Sequence, residues 1–294
     1  MKIAVTTPTG NIGRALTIRL LGAGEQPILL ARQPEKVREF IEQGATVQHG
    51  SLEDKEFVVE ATRGVDVLFW LTPADYGSRD LRVFQNTLGD NAAAAVRTNK
   101  IPRVVDLSSV GAQLAQGTGP VVGLRDVEKK LEATGAHITH LRPGYFMENF
   151  FMTAGSMASH GAVFLPVPGS ARVPFIATPD IAAVAAERIL DATWTGRSVI
   201  ELVGPEEISF EEAATRFGDA IGKKVSFSEA TPGQTREALT AMGVHENTAN
   251  LFIELYDAIG QGKFTTEASP KKGTTTLNSF AKDVFRPTFD AMTR

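Results

Sequence analysis

Short apolar runs rich in β-branched residues alternate with longer amphipathic segments along the first 145 residues of the chain. The apolar runs occupy residues 2–7, 27–31, 46–49, 66–71, 103–107 and 137–141. Several are almost wholly apolar, which is typical of strands buried on both faces of a sheet. Six strand–helix alternations therefore predict an α/β fold, an open, doubly wound parallel sheet with helices on both faces.

The alternation ends after Tyr145, where aromatic residues, methionines and Gly/Pro turns follow one another without a clear period. A helix is predicted over 178–191, with Thr178 as its N-cap, and a strand over 198–204. Two capping boxes and one further strand at 224–229 predict a mostly helical C-terminal third. The boxes pair Ser209 with Glu212 and Thr231 with Gln234.

The composition excludes several kinds of site. The 294 residues include no cysteine, so disulfides, thiolate nucleophiles and cysteine-ligated metals are absent. A net charge of -4 gives no basic surface of the kind that binds nucleic acid or anionic lipid. No segment has the form of a signal peptide or approaches the ~20 apolar residues of a membrane span. We expect a cytoplasmic protein that acts on a small molecule, with neither nucleic acid nor membrane as its partner.

The first strand leads into the turn TTPTGNIG, whose glycine spacing suggests a dinucleotide-binding loop. A helix that begins near Asn11 would direct its free N–H groups and its dipole at a pyrophosphate. Gly10 would let the phosphate approach the backbone, and Gly13 would let the helix pack closely on the strand. Thr7 stands where such turns usually carry their first glycine, and we expect Pro8 to hold it in extended geometry. An ordinary βα turn with two glycines is the alternative.

The end of the second strand indicates which dinucleotide the turn would hold. NAD-binding folds usually place a carboxylate there, about 20 residues beyond the turn, to bind the ribose 2′-hydroxyl. In this chain Arg32 occupies the strand tip, Lys36 follows it, and the first acid is Glu35. A guanidinium at that point suits a 2′-phosphate, so we expect NADP(H) as the cofactor. The alternative is a solvated Arg and Lys on a surface helix.

Six segments that run along almost the whole chain resemble the NmrA-like branch of the atypical short-chain dehydrogenase/reductases. They are TPTGNIGRAL, LARQPEKV, GSLEDKEFVVEATRGVDVLFWLTP, EKKLEATGAHITHLRPGYFMENF, VPFIATPDIAAVAAERIL and VGPEEISFEEAATRFGDAIGKKV, of which LRPGYFMEN is the most specific. The resemblance implies an NADP-binding Rossmann domain over 1–150. It also implies a substrate cleft and a smaller, mostly helical lobe over 151–294, from which segments near 173–204 return to the sheet.

The same resemblance implies where each part of the cofactor binds. The pyrophosphate would lie against Thr9, Gly10, Asn11 and Ile12, and the 2′-phosphate would be bound by Arg32. From the residues themselves we add Thr7, in the same turn, and Lys36, which follows Arg32, to the expected cofactor contacts. The adenine would lie against Ser51 and Leu52, although the family usually has an aspartate where Ser51 stands. The ribose would lie beside Leu71, Thr72 and Pro73, and the nicotinamide beside Pro143, Gly144 and Tyr145.

The chain lacks the catalytic pair typical of short-chain dehydrogenases, a tyrosine with a lysine four residues later. Its three tyrosines are Tyr76, Tyr145 and Tyr256, and none is followed by such a lysine. Many enzymes of the branch it resembles instead have a lysine five residues before the glutamate that matches Glu128. That position is Gly123 here. The catalytic residues are therefore left unassigned.

A few other polar residues are candidates for chemistry. Ser108 and Ser109 end the fifth strand, where a hydroxyl would either bind a substrate carbonyl or cap the following turn. His137 and His140 point to opposite faces of one strand, so they cannot share a metal ion, and no metal site is expected. His160 would be either a proton donor to substrate or an exposed loop residue.

Apolar side chains cluster just after the sixth predicted strand, namely Phe146, Met147, Phe150, Phe151 and Met152. Their spacing suits either a buried helix face or the wall of a substrate pocket. A pocket with such a wall would take a flat, apolar molecule. We therefore expect an NADPH-dependent oxidoreductase that transfers hydride to a quinone or aromatic acceptor. The alternative is a non-enzymatic NADP(H)-binding redox sensor or regulatory protein, which the missing catalytic lysine favours.

Overall fold

A parallel β-sheet forms the centre of the computed structural model, which describes residues 1–191, 193–267 and 269–293. Within these residues, eight strands follow the order β13-β10-β6-β5-β4-β1-β2-β3, and every neighbouring pair is parallel. Three-stranded β11-β9-β7 and two-stranded β12-β8 sheets lie beside it. The strands are β1 Ile3–Thr6, β2 Ile28–Ala31, β3 Thr46–His49, β4 Val67–Leu71, β5 Arg103–Leu107, β6 His137–Pro143, β7 Tyr145–Phe146, β8 Ala162–Leu165, β9 Arg172–Ile176, β10 Arg197–Val203, β11 Glu207–Ser209, β12 Ser226–Glu229 and β13 Lys271–Lys272.

Helices connect the strands and build most of the C-terminal lobe. They are α1 Asn11–Gly22, α2 Arg38–Glu42, α3 Lys55–Ala61, α4 Leu81–Asn99, α5 Val121–Glu132, α6 Ala154–His160, α7 Thr178–Leu190, α8 Phe210–Ile221, α9 Pro232–Ala241, α10 Glu246–Gly260, α11 Leu277–Phe280 and α12 Arg286–Met292. Short 3₁₀ segments cover Pro34–Val37 and Met147–Thr153, and a π turn covers Ala281–Phe285.

Both faces of the main sheet are covered, which explains why its strands read as continuous apolar runs. One core cluster contains Val5, from β1, together with residues of α1 and α7. Ala4, the next residue along the strand, points to the opposite face and packs with residues of α4 and α5. A third cluster, rich in phenylalanine, fills the C-terminal lobe. The doubly wound parallel sheet expected from the sequence is thus confirmed.

The six strands predicted in the first half match β1 to β6 within two residues at either end. Both capping boxes form, with Ser209 bonded to the backbone of Glu212 and Thr231 bonded to that of Gln234. The short strands β11 and β13 were not predicted, because two or three residues carry no readable period.

Thr178 is not the N-cap predicted for α7. The helix already includes Thr178, and its N-cap is Ala177, which forms no side-chain cap. The Thr178 hydroxyl instead donates to Glu148 at 2.6 Å, and the backbone N–H of Thr178 donates to the same oxygen at 2.9 Å. The half-buried Glu148 carboxylate therefore replaces the local cap as the acceptor for the first turn.

Strand β10 lies in the main sheet next to β6, with Ser198 opposite Thr139 and Leu202 opposite Pro143. Strand β9, by contrast, pairs with β7 and β11 outside that sheet. The chain therefore enters the C-terminal region, returns to the main sheet through β10 and leaves it again. The first half of the chain and the C-terminal region therefore meet at the carboxyl ends of β4, β5 and β6.

Candidate functional site

A cavity of about 610 Å³ opens at the carboxyl ends of β4 and β5, where open parallel sheets bind their ligands. Its walls come from the strand ends, from the segment after β6 and from the helices α9 and α10 of the C-terminal lobe. Among the described residues that line it, none is Asp, Glu, Lys, Arg or His. An uncharged lining suits a ligand that is itself largely apolar and carries no charge where it meets these walls.

The turn after β1 departs from what the sequence led us to expect. Thr7 has φ +51°, in the left-handed region, and is not held extended by Pro8. The carbonyl oxygen of Thr7 accepts from the N–H of Gly10 at 3.1 Å, and this bond closes the turn. Threonine is costly in this conformation because its side chain is branched at Cβ, typically by about 1–3 kcal/mol. The turn therefore imposes on Thr7 the backbone that a glycine would adopt without strain.

The two glycines of the turn serve different purposes. A Cβ on Gly13 would lie 2.2 Å from the carbonyl oxygen of Thr7, so close packing of α1 on the turn requires a glycine there. A Cβ on Gly10 would meet no neighbour closer than 3.6 Å, the same oxygen of Thr7. The protein therefore leaves space above Gly10 that its own fold does not need. This space adjoins the first turn of α1, whose N–H groups have no partner within the helix.

Five of the fourteen residues predicted to bind the cofactor line the cavity: Ile12, Leu71, Thr72, Pro73 and Tyr145. Ile12 lies in the first turn of α1 and therefore connects the cavity to the glycine turn. Thr9, Gly10 and Asn11 are exposed at the N-terminus of that helix. The turn and the cavity are thus adjacent, which is the arrangement a dinucleotide would need to reach from one to the other.

Arg32 and Lys36 are both exposed and lie beyond the end of β2, next to the glycine turn's strand. Arg14, the nearby cation on α1, is by contrast bonded through both its terminal nitrogens to Glu39. Position and exposure therefore favour Arg32, with Lys36, as a ligand for a 2′-phosphate.

Three residues predicted to contact the cofactor also form hydrogen bonds within the protein. Ser51 accepts from the N–H of Glu53 at 3.3 Å, and the Leu52 carbonyl accepts from Asn91 at 2.9 Å. The Leu52 side chain packs against the core under β4. Pro143 is buried at the end of β6, where its carbonyl accepts from Val110 at 3.0 Å. Gly144, which follows it, does line the cavity.

The apolar segment after β6 divides between core and cavity. Phe150 is 1% exposed and packs between Phe175 and Phe217, and Met147 is equally buried. Phe151 stacks on Phe285 inside the same core. Phe146 and Met152 line the cavity instead. Phe150 and Phe151 are therefore core residues and not the pocket wall that we considered.

A pair of tyrosines lies in the cavity wall, and the sequence did not indicate it. The hydroxyl oxygens of Tyr145 and Tyr256 are 2.8 Å apart. Burial raises the pKa of Tyr145 well above 10 and raises that of Tyr256 to about 12, so both are neutral phenols at ordinary pH. Tyr256 lies on α10, 111 residues beyond Tyr145, and only the rarity of tyrosine in the chain could have drawn attention to it.

Gln85 occupies the space beside Gly123, the position that carries a lysine in many enzymes of the branch the chain resembles. A Cβ on Gly123 would lie 1.9 Å from the side-chain oxygen of Gln85. The Gln85 amide donates to the carbonyl of Pro120 at 3.2 Å, which fixes its orientation. Any side chain at position 123 would therefore collide with Gln85 in its present orientation. Both serines considered above, Ser108 and Ser109, line the cavity nearby.

A buried ionic network lies beneath the cavity, under the ends of β5 and β6. Arg142 donates two hydrogen bonds to Glu128, at 2.9 and 2.7 Å, and His140 Nδ1 lies 2.8 Å from Asp106. Burial lowers the pKa of His140, but the hydrogen bond and charge of Asp106 outweigh it, so that pKa is raised. Glu128, Glu132 and His140 have potential ligand atoms within 4.8 Å of one another, but Arg142 already binds both oxygens of Glu128.

His160 is exposed at the end of α6, where Nδ1 lies 2.7 Å from the Ser159 hydroxyl, and it is not part of the cavity wall. Among the helices that the structure describes, none is both long enough and apolar enough to cross a membrane.

The chain is similar to known proteins over most of its length. The model of the NmrA-like family matches residues 1–281. The NAD(P)H azoreductase of Xenophilus azovorans is 29% identical over 257 residues, 86% of each chain. Quinone oxidoreductase 2 of Escherichia coli is 26% identical over 258 residues, again 86% of each chain. The triphenylmethane reductase of Citrobacter sp., solved with NADP(H), has a TM-score of 0.80 at 23% identity, covering 96% of this chain and 99% of the other. At that identity the likeness is one of fold.

Proposed function

The chain belongs to the NmrA-like family, and we propose that it is an NADPH-dependent oxidoreductase that reduces a flat, uncharged, apolar acceptor such as a quinone or an aromatic compound. The observation that carries the proposal is the juxtaposition of the glycine turn with an uncharged cavity of about 610 Å³. The glycine turn alone would suit a nucleotide-binding protein of any kind. The two together suit a cofactor and a second, apolar molecule in contact with it.

The residues of the turn fit a dinucleotide. The space above Gly10 is one that a side chain would fill, and the first N–H groups of α1 adjoin it. Thr7, Thr9, Asn11 and Ile12 would complete this pyrophosphate site, with Arg32 and Lys36 at the 2′-phosphate. Ser51 and Leu52 would lie near the adenine. Leu71, Thr72 and Pro73 would lie beside the ribose, and Pro143 and Tyr145 beside the nicotinamide.

When bound, NADPH would supply a hydride, and the protein's own contribution is to position the acceptor and exclude water. Leu71, Phe146 and Met152 offer apolar surface for a flat ring. The absence of charged side chains from the described lining means that a charged acceptor would be desolvated without compensation. The geometry therefore favours neutral acceptors.

The names of the relatives support this class of acceptor. One is an NAD(P)H azoreductase and the other a quinone oxidoreductase, and azo compounds and quinones are both conjugated and largely planar. Such acceptors delocalise the charge that develops during reduction. They therefore need less help from an acidic side chain than an isolated ketone does, which is consistent with Gly123 in place of a lysine.

The experiment compares a neutral naphthoquinone with a sulfonated analogue of similar reduction potential, following NADPH oxidation under anaerobic conditions. Burial of a sulfonate in this lining should cost at least about 1.4 kcal/mol, so kcat/KM should be about tenfold or more higher for the neutral quinone. Tight NADPH binding without turnover of any acceptor would contradict the proposal and favour the redox sensor. Equal kcat/KM for the two quinones would contradict the role of the uncharged lining.

A further inference from the structure

The chain has three tyrosines, and all three lie in the wall of the same cavity. Tyr76 follows β4 and its ring stacks on Phe252, with the ring centroids 5.6 Å apart. Tyr145 belongs to β7 and Tyr256 to α10. The Tyr145 and Tyr256 hydroxyls belong to residues 111 positions apart in the chain and meet at 2.8 Å.

The two tyrosines of this pair differ in how far each residue is exposed. Tyr145 is 5% exposed, and its ring is fixed edge-on against Phe175 and Phe210, at centroid distances of 5.5 and 5.3 Å. Tyr256 is half-buried, on a helix of the C-terminal lobe. Tyr145 is therefore the rigid, deeper member of the pair, and Tyr256 is the member nearer the open space.

One hydrogen bond between two phenols uses one of their two protons. Either hydroxyl can be the donor of this bond. When Tyr145 donates to Tyr256, the proton of Tyr256 is left for a ligand. A hydroxyl that accepts a hydrogen bond becomes a better donor, because the chain of bonds polarises along its length. In that arrangement the Tyr256 O–H is both free and strengthened.

Three other uncharged donors of the cavity wall are committed to backbone carbonyls. Ser109 donates to Val110 at 2.9 Å, Gln85 donates to Pro120 at 3.2 Å, and the Thr153 hydroxyl donates to Phe150 at 2.8 Å. These bonds hold the wall in place and leave those three protons unavailable to a ligand.

We propose that Tyr256 is a catalytic residue, whose hydroxyl donates a hydrogen bond to the oxygen or nitrogen of the acceptor that gains negative charge, and that Tyr145 positions it. This inference rests on the proposed function. The acceptor gains the hydride with its electron pair, and the charge that develops on its heteroatom is stabilised by the Tyr256 O–H and then neutralised by a proton from water. Tyr256 keeps its own proton throughout, which is consistent with a pKa of about 12.

The first test compares Tyr256→Phe, Tyr145→Phe and Tyr76→Phe in steady-state turnover of a neutral naphthoquinone. Loss of one donor to a developing charge typically costs about 10²-fold, so kcat should fall by about that factor in Tyr256→Phe, with the Kd for NADPH unchanged. Tyr145→Phe should lower kcat by less, since Tyr256 can still donate, and Tyr76→Phe by less again. Wild-type kcat in Tyr256→Phe, or a larger loss in Tyr145→Phe, would overturn the assignment.

A second measurement does not depend on turnover. Para-nitrophenol bound in the NADP⁺ complex reports its own ionisation by absorbance, and a donor aimed at its oxygen favours the phenolate. Its bound pKa should rise by about one unit in Tyr256→Phe, the equivalent of 1.36 kcal/mol. An unchanged value would overturn the role of Tyr256 even if the wild type reduced quinones. If the wild type reduced no acceptor, the proposed function would fail, while a shift in this probe would still place the Tyr256 hydroxyl on the ligand.

Discussion

Gly10 and Gly13 lack a side chain for different physical reasons, and this difference can be tested. Gly10→Val should fold, since its Cβ would lie 3.6 Å from the nearest neighbour, at a cost of about 1 kcal/mol for a poorer N-cap. It should no longer bind NADPH, because the branched side chain fills the phosphate space. Isothermal calorimetry gives the binding and urea unfolding the stability.

Gly13→Ala is the matched comparison, because its Cβ would lie 2.2 Å from backbone. It should destabilise the protein by about 1–3 kcal/mol, the usual cost of overpacking. A Gly10→Val protein that bound NADPH as tightly as the wild type would show that the turn is not the phosphate site.

Arg32 tests the choice of cofactor at the same scale. If its guanidinium binds the 2′-phosphate, Arg32→Ala should weaken NADPH binding by about 1.5–3 kcal/mol, the range for hydrogen bonds to charged groups. NADH lacks that phosphate, so its affinity should hardly change. Arg38→Ala, which removes an exposed arginine paired with Glu42, serves as the control. Equal losses for both cofactors in calorimetry would contradict the assignment.

Thr7 shows where a local rule fails at a single residue. Pro8 should favour extended geometry at Thr7, yet the turn closes through the Thr7 carbonyl and forces φ to +51°. The contact that accompanies this conformation, the close packing of Gly13 on the Thr7 carbonyl, involves a residue six positions further along the chain. No property of the TTP tripeptide predicts it.

At the scale of elements, the end of β6 is tied to α5 by the buried Arg142–Glu128 pair. Glu128→Gln should lower the free energy of unfolding by about 3–5 kcal/mol, because it leaves the Arg142 charge buried without its partner. Glu60→Gln, in an exposed pair with Arg63, should cost less than about 1 kcal/mol. Urea unfolding measures both, and equal effects would contradict the importance of burial.

The pH dependence of that effect has a definite sign. Burial raises the pKa of Glu128, but the hydrogen bonds and charge of Arg142 outweigh this, and the pKa lies below its usual 4.5. A lowered pKa in the folded state contributes stability that is present above pH 4.5 and disappears as the pH falls through the folded value. The difference between the wild type and Glu128→Gln should therefore shrink below that pH. A difference that grew instead would mean that Glu128 is neutral in the fold.

The first six strands and both capping boxes could be predicted because they are local patterns. Apolar runs specify a strand buried on both faces, and Ser209 and Thr231 bind backbone only three residues away. The N-cap of α7 could not be predicted, because Glu148, which lies 30 residues away, binds Thr178. Phe150 and Phe151 lie in the core, whereas Met152 lines the cavity. This difference likewise depends on which side of a short 3₁₀ segment packs against the C-terminal lobe.

For the molecule as a whole, the cofactor site follows from the sequence better than the substrate site does. Turn and strand-end residues lie close together along one half of the chain, so their spacing carries the signal. The cavity is closed by α9 and α10, and Tyr256 reaches Tyr145 from 111 residues away. Only packing of the C-terminal lobe on the sheet brings these residues together.

The central claim is that one continuous site holds both the cofactor and a neutral, flat acceptor. The most direct measurement is a crystal structure of the protein with NADP⁺, which cannot transfer hydride, and a neutral naphthoquinone. We predict the pyrophosphate over Gly10, the 2′-phosphate at Arg32, and the quinone in the uncharged cavity with one oxygen within hydrogen-bond distance of the Tyr256 hydroxyl. NADP⁺ bound away from the turn, or a quinone bound outside that cavity, would contradict the account.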